Sequence, residues 1–240
     1  MMNDHAKLNF FASTPEPCSY LDNRSSVSAF ANPHMDMDMQ TYNELIHHGF
    51  RRSGGYVYRP HCPQCQECIS VRVAVKQHQA SRNEKRVIRR NANVVVSGVS
   101  GKFREEHFDL YRRYINSRHA DGSMANPSKS DYHRFLICDW TDTLFLEFRL
   151  NRQLIAVAVS DIMSSGLSAV YTFFDPELDL RSLGHFAILS QIEEAREREL
   201  DFLYLGYWIK DCNKMNYKRR YRPLEGYITD QWVPLISSAD

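Results

Sequence analysis

The sequence predicts an α+β fold with an antiparallel-rich sheet, and three observations predict it. Residues 144–150, 154–161 and 167–174 are strand-like runs in direct succession, separated by the turn-like segments Asn151-Arg152-Gln153 and Ser164-Ser165-Gly166. Two segments with helical spacing precede them, residues 104–118 with Phe108, Tyr111 and Ile115 on one face, and residues 130–138. A long helical segment follows at 183–199, with Phe186, Leu189, Ile192 and Ala195 on one face, and then an apolar strand at 202–207. No internal repeat is visible.

The first half is less regular. Residues 13–40 carry Pro15, Pro17, Pro33 and a Met/Asp alternation, and read as irregular. Residues 41–48 read as a short helix with Thr41 as N-cap and Gly49 as stop. Residues 50–63, rich in Gly, Arg and Tyr, read as a strand pair or a loop. Residues 69–75 alternate as a strand does. Residues 81–91 read as a helix opened by a capping box of Ser81 and Glu84, and residues 94–99 are β-like. The boundary falls within residues 92–104. It divides the chain into a smaller basic, Cys-containing region, 1–98, and a domain of 99–240. In the second part, the order helix, helix, three antiparallel strands, helix, strand is that of the GNAT acyltransferase fold, so a GNAT-like catalytic domain is expected there.

Composition excludes several classes. Of the 240 residues 43% are hydrophobic and 25% charged, which is globular rather than disordered or collagen-like. No run of 18 apolar residues is present, so no transmembrane helix and no membrane partner is expected. Residues 1–11 contain no apolar h-region, so the expected location is cytoplasmic. The net charge of +1 conceals an asymmetry. Between Phe50 and Arg104 stand twelve Lys and Arg against two acids, a net +10, which leaves −9 for the remainder. Six cysteines in a reducing compartment point to thiols or metal ligands rather than disulfides.

Four constellations carry chemistry. Cys62-x-x-Cys65-x-x-Cys68 offers three thiolates from one loop, with Cys18 or His61 as a fourth ligand. A structural zinc or an iron–sulfur cluster suits this spacing; so does the plainer reading of three small buried thiols. Arg82, Lys85, Arg86, Arg89 and Arg90 fall at i, i+3, i+4, i+7 and i+8, one side of a helix. Such a face suits a nucleic-acid backbone, and Arg51, Arg52 and Arg59, interleaved with Tyr56 and Tyr58, extend the footprint; a solvated face is the alternative. Arg181-Ser-Leu-Gly184-His-Phe186 stands where GNAT enzymes hold the pyrophosphate of acetyl-CoA. The bulk of Phe186 is expected to obstruct that approach, so the fold is kept and acyl-CoA lost. Finally, residues 204–208 and 214–223 alternate tyrosines with basic residues after a strand, as a cleft lining would. Hydrolase and kinase motifs are missing: there is no Ser-His-Asp order, P-loop or HExxH.

Taken together these motifs resemble a family. Cys18-Ser-Tyr-Leu, Gly49-Phe-Arg-Arg-Ser-Gly54, Tyr58-Arg-Pro-x-Cys62-x-x-Cys65-x-x-Cys68, Ser81-Arg82 and Arg89-Arg-Asn91 resemble the N-terminal part of the aminoacyl-tRNA–protein transferases. Tyr171-x-Phe-x-Asp175-Pro, Ser182-Leu-Gly184, Tyr204-Leu-Gly-Tyr-Trp and Asn216-Tyr-Lys-x-x-Tyr221-x-Pro resemble their C-terminal part. The resemblance covers roughly residues 10–235. It implies transfer of an aminoacyl group from tRNA to the N-terminal α-amine of proteins beginning with Asp or Glu, which marks them for degradation. The bacterial members with this length and cysteine loop imply leucine from Leu-tRNA as the donor; arginine is the alternative. No cofactor is required for such a transfer. The expected tRNA-binding residues are Arg51, Arg52, Arg82, Arg86, Arg89 and Arg90. The expected cleft residues are Tyr171, Asp175 and Tyr207 for catalysis and Lys214 and Lys218 for substrate, with Cys62, Cys65, Cys68 and Cys18 as the metal candidates. The rival readings are an acyl-CoA acetyltransferase, a non-catalytic RNA-binding protein with a metal knuckle, and a cysteine-based redox or metal sensor.

Overall fold

A computed structural model describes residues 8–32, 34–118 and 125–236. The first seven residues of the 1–11 segment and Pro33 of the irregular stretch lie outside the described residues. The three strand-like runs form β9 (Thr143–Leu150), β10 (Gln153–Ile162) and β11 (Gly166–Phe174), successive antiparallel neighbours. Asn151 and Arg152 both take positive φ, 50° and 71°, the backbone that lets a two-residue turn match the strand twist. The long helix is α5 (Leu183–Glu197), and β12 (Phe202–Trp208) follows it.

The eight-stranded sheet also contains β7 (Ile69–Ala74), β8 (Val94–Ser100), β13 (Leu224–Ile228) and β14 (Gln231–Ile236). Its order is β14-β13-β7-β12-β11-β10-β9-β8, and only the β11–β12 pair is parallel. The expected division at residues 98/99 therefore falls inside β8, and β7 sits deep in the sheet beside β12. Burial explains this. Val71 and Val73 of β7 are fully buried against Leu203 and Leu205 of β12, so the sheet's core is incomplete without the first region.

Helices cover both faces. On one, Leu183, Ala187 and Ile192 of α5 and Val87 of α2 (Arg82–Arg90) pack on Leu146, Phe148, Ala156 and Leu203. On the other, α3 (Glu105–Arg118) and α4 (Lys129–Leu136) place Phe108, Tyr111, Tyr132 and Leu136 over Phe145, Val157 and Phe173. The period-2 alternation of β9 is visible here: Leu144, Leu146 and Phe148 face α5 while Phe145 faces α3 and α4. The capping box at Ser81 and Glu84 opens α2, as its sequence predicts. Among the described residues, no helix is long and apolar enough to cross a membrane.

A smaller sheet, β1 (Phe10–Ala12), β4 (Ser28–Ala31), β6 (Tyr56–Pro60) and β5 (Arg51–Ser53) in that order, lies beside the large one, and β2 (Glu16–Pro17) pairs with β3 (Ser25–Ser26). The stretch expected to be irregular thus contains three short strands, β2, β3 and β4, too short to show a period. Helix α1 (Met39–His47) packs here through Tyr42, Leu45 and Ile46. Its N-cap is Asp38, whose carboxylate accepts from Thr41 N at 2.7 Å, and not Thr41 itself.

The small sheet is pinned to the large one by Arg52, 1% exposed. Its Nε and Nη2 donate to the two oxygens of Asp161 on β10, at 2.7 and 2.6 Å. Thr143 Oγ1 and the Tyr42 hydroxyl donate to the same carboxylate at 2.9 and 3.2 Å. Nearby, Gly54 at φ +59° donates to Phe135 O; a Cβ there would lie 2.1 Å from Arg134 O, so only glycine lets the β5–β6 turn rest on α4. We expect Asp161→Asn to lower unfolding free energy by about 3–5 kcal/mol in urea titration, because Arg52 is left buried without its charge partner. The double change Arg52→Met with Asp161→Leu should recover part of that loss.

Candidate functional site

The large sheet opens where β11 and β12 part. Parallel pairing holds only from Gly166–Ser168 to Phe202–Tyr204; beyond it, β11 stays with β10 and β12 stays with β7. Both arms are bulged at the opening. The β10–β11 register jumps so that Val170 has no partner, and the β12–β7 register jumps at Leu205, beside Gly206 at φ +70°. Bulges of this kind re-aim backbone groups and stand often beside active sites.

Arg51 of β5 lies across this opening. Its Nη2 donates to Val170 O at 3.4 Å on one arm, and its guanidinium carbon is 5.9 Å from the Tyr207 ring centroid on the other. A Cβ on Gly206 would approach Arg51 Nη1 to 3.0 Å, so the glycine both permits the bulge and makes room for the guanidinium. Lys218, 5% exposed, sits at the same place, donating from Nζ to the Tyr207 carbonyl, 5.8 Å from the Tyr217 ring centroid. Burial, and next the charge of Arg51, bring its ammonium down to about 7, against the opposing pull of Cys212 and Cys68.

The other expected cleft residues are placed differently. The Tyr207 hydroxyl donates to Tyr58 O at 2.9 Å, and burial holds its phenol well above the usual range, so it stays protonated. Tyr171 stacks edge-on with Tyr111, Tyr114 and Phe135 on the α3/α4 side. Asp175, buried, pairs with Arg113 at 3.2 Å and accepts from Glu177 N at 3.1 Å, which stabilises the turn leaving β11. Lys214 is exposed in the turn before Lys218.

Arg82, Arg86, Arg89 and Arg90 are exposed on α2, and among the described residues neither they nor Lys85 form an ion pair. Between α2 and the start of α5 runs a groove of about 980 Å³ lined by Arg86, Arg90, Ser182, His185, Arg220 and Arg222. Arg90 ties the two elements, donating to Leu180 O at 2.5 Å. Two expectations change here. Arg52 is not part of this surface, because Asp161 holds it in the interior. Phe186 does not obstruct the α5 N-terminus: its ring is buried edge-on against Phe148 at 5.5 Å, on the core side. Arg220 and Arg222 were legible only as basic residues among tyrosines; nothing in the sequence places them opposite α2.

Cys18, Cys62, Cys65 and Cys68 line one groove of about 640 Å³ together with Tyr20 and Tyr207. All are free thiols. Burial, followed by the neighbouring Cys62, Cys18 and Cys65, pushes the Cys68 thiol up to about 12. Cys62 Sγ accepts from Val27 N at 3.3 Å. The four converge without being assembled: among the described residues, no three His, Cys, Asp or Glu side chains form a set that could hold a metal ion.

Comparison with known proteins finds matches over most of the chain. The family described as "Arginine-tRNA-protein transferase, N terminus" matches residues 16–86, and its C-terminal counterpart matches residues 106–228. An aspartate/glutamate leucyltransferase of Pseudomonas fluorescens (strain SBW25) is 49% identical over 98% of this chain and the whole of the relative. One from Pseudomonas aeruginosa (strain LESB58) is 48% identical over the same shares. Among solved structures, the C-terminal domain of a putative lysylphosphatidylglycerol synthetase from Agrobacterium fabrum superposes loosely, with a TM-score of 0.44 and 12% identity over 67% of this chain and 49% of that one. Two family halves in order, and relatives alike from end to end, mean that the chain belongs to the arginine-tRNA-protein transferase family.

Proposed function

We infer that this protein transfers leucine from Leu-tRNA to the N-terminal α-amine of proteins beginning with Asp or Glu, and so marks them for degradation by the N-degron route. The observation that carries this is 49% identity over 98% of the chain to a relative named for that reaction. The compartment is the cytoplasm, where charged tRNA and acceptor proteins meet.

The chemistry asks little of a base. The donor is an activated ester, and the acceptor amine has a pKa near ~7.7–8.0, so a useful fraction is neutral at cellular pH. The acceleration comes mainly from holding ester and amine in attack geometry. In this reading the parting of β11 and β12 is the reaction centre, as in a GNAT-like fold, and a backbone N–H at the Val170 bulge donates to the oxyanion of the tetrahedral intermediate. The amine loses its proton to solvent or to a neighbouring group as the tRNA 3′ oxygen leaves. Tyr207 acts as the fixed wall of this centre; Tyr171 and Asp175 support its outer side.

The tRNA backbone lies on Arg82, Arg86, Arg89 and Arg90 and enters the groove toward Arg220 and Arg222. Five exposed cations on one helix, with no ion pair among the described residues, favour this over a plain solvated face. The four cysteines serve as ligands to a structural zinc or an iron–sulfur cluster. Burial first, and then the neighbouring thiolates, raise Cys68; a bound cation would relieve the second of these.

The first test is transfer of labelled Leu, and separately labelled Arg, to peptides beginning with Asp, Glu or Ala. Leu on Asp and Glu but not Ala is expected; Arg in its place would overturn the donor, and no transfer would favour a binding protein. Arg86→Ala with Arg89→Ala should weaken tRNA binding and reduce the slope of log affinity against log salt by about 2. An unchanged slope rules α2 out as the footprint. Elemental analysis of anaerobically purified protein should find stoichiometric zinc or iron, lost in Cys65→Ser with Cys68→Ser. Metal-free protein with four rapidly titrating thiols would sink the metal site.

A further inference from the structure

Arg51 and Arg52 are neighbours on β5, and successive strand residues point to opposite faces. Arg52 meets Asp161 with two parallel hydrogen bonds. Arg51 meets no carboxylate: its one hydrogen bond among the described residues is the 3.4 Å contact to Val170 O. Among the described residues Lys218, deeply buried, has no acidic partner either; it meets the Tyr207 carbonyl and the face of Tyr217. Two cations therefore share one opening in the sheet with no anion to balance them. Burying a charge unpaired is unfavourable, and a second like charge beside it adds repulsion. Such an arrangement is relieved either by loss of the Lys218 proton or by a ligand that brings the missing negative charge.

We propose that Arg51, backed by Lys218, reads the acceptor: the guanidinium receives the side-chain carboxylate of the N-terminal Asp or Glu and thereby holds the adjacent α-amine at the parted strands. The proposal rests on the leucyl-transfer reading above and assigns its specificity to named residues. A carboxylate fits better than a tRNA phosphate. The backbone of the tRNA has the wide, exposed arginine groove by α2. Arg51 stands instead between the Tyr207 ring and the Val170 carbonyl, where its planar fork is presented to one small planar anion. In an N-terminal Asp, carboxylate and amine are only a few bonds apart, so gripping one positions the other.

The site also has a pH signature. The groups facing Lys218 are Arg51 from β5, Tyr207 from β12, Tyr217 beside it, and the thiols Cys68 and Cys212. With its amine at about 7, Lys218 is charged below that pH and neutral above it. The advantage of an acidic over a neutral acceptor in kcat/KM, which reports the free enzyme, therefore declines as pH rises through about 7. The titration of the acceptor's α-amine is common to both acceptors and cancels in the ratio.

The experiment measures leucyl transfer by the full chain, and by Arg51→Gln and Arg51→Lys, to peptides identical except for N-terminal Asp, Asn, Glu or Gln. The unaltered protein should favour Asp over Asn and Glu over Gln by about 100-fold, the scale of a charge-assisted pair. In Arg51→Gln the preference should fall below about 10-fold, with Arg51→Lys between, while Leu-tRNA binding by both stays unchanged. Lys218→Arg should remove the pH dependence of the preference. Each ratio is taken within one preparation, so a loss of folded protein cancels. Calorimetric binding of the same four peptides supplies the ratio for any variant too slow to assay. Equal loss on Asp and Asn peptides, with the preference kept, overturns the proposal. Weakened Leu-tRNA binding with the preference kept does so too and makes Arg51 a phosphate contact. Should the unaltered protein transfer no leucine to any peptide, the reading of the reaction fails, and the peptide-binding ratio still decides the role of Arg51.

Discussion

The Arg52–Asp161 pair is the constraint on which the rest of the structure depends. It joins two sheets that share no strand, and it draws Tyr42 of α1 and Thr143 of β9 onto the same carboxylate. A charge pair taken out of water gives little net stability even with good geometry. What it does give is position. Two parallel hydrogen bonds fix β5 in rotation and in register against β10, which a purely apolar contact would not do as sharply. Because Arg51 is one residue away, that fixation also decides where its guanidinium goes. A one-residue slip of β5 would exchange the two arginines between interior and cleft.

The opening between β11 and β12 is likewise a product of local irregularities acting together. A bulge on each arm bends the strands apart, and Gly206 relieves both the backbone and the approach of Arg51. The site is thus assembled from sequence-distant pieces: β5, the two bulges, and the turn that carries Lys218. The Cys-lined groove borders the same wall, since Tyr207 lines it and Cys68 is among the groups felt by Lys218. A change of charge among those thiols is therefore felt by the amine that faces the cleft.

The regular half of the fold was legible in the sequence. Its strands are long enough to alternate, its turns carry Asn-Arg and Ser-Gly, and the capping box at Ser81 names the start of α2 directly. Strands β1 to β4 were not, because two to four residues hold no period and their pairing is decided by tertiary contact. Strands β13 and β14 were missed for a related reason: Gly226 and Pro234 interrupt their pattern. The basic surface was legible in part. Helical spacing picks out α2, whereas Arg51 and Arg52 look identical in composition and differ only in which face of β5 each occupies. The Asp38 cap and the core-side Phe186 show the same limit, since which neighbour a side chain meets is settled by packing.

The uneven charge of the chain follows from this division of labour. Each of the basic residues that is buried with a carboxylate, such as Arg52 or the Arg72–Glu225 pair, is structural. Those on α2 are exposed and face water, where like charges cost little and their field reaches outward. Arg51, half-buried, and Lys218, buried, belong to neither group, since among the described residues neither meets a carboxylate. Local charge balance, rather than the total or the count, separates the three roles. An enzyme that joins a polyanionic donor to an acidic acceptor needs two positive fields of different range. On the assignments proposed above, the exposed face of α2 is the broad one, and Arg51 with Lys218 is the short-range one.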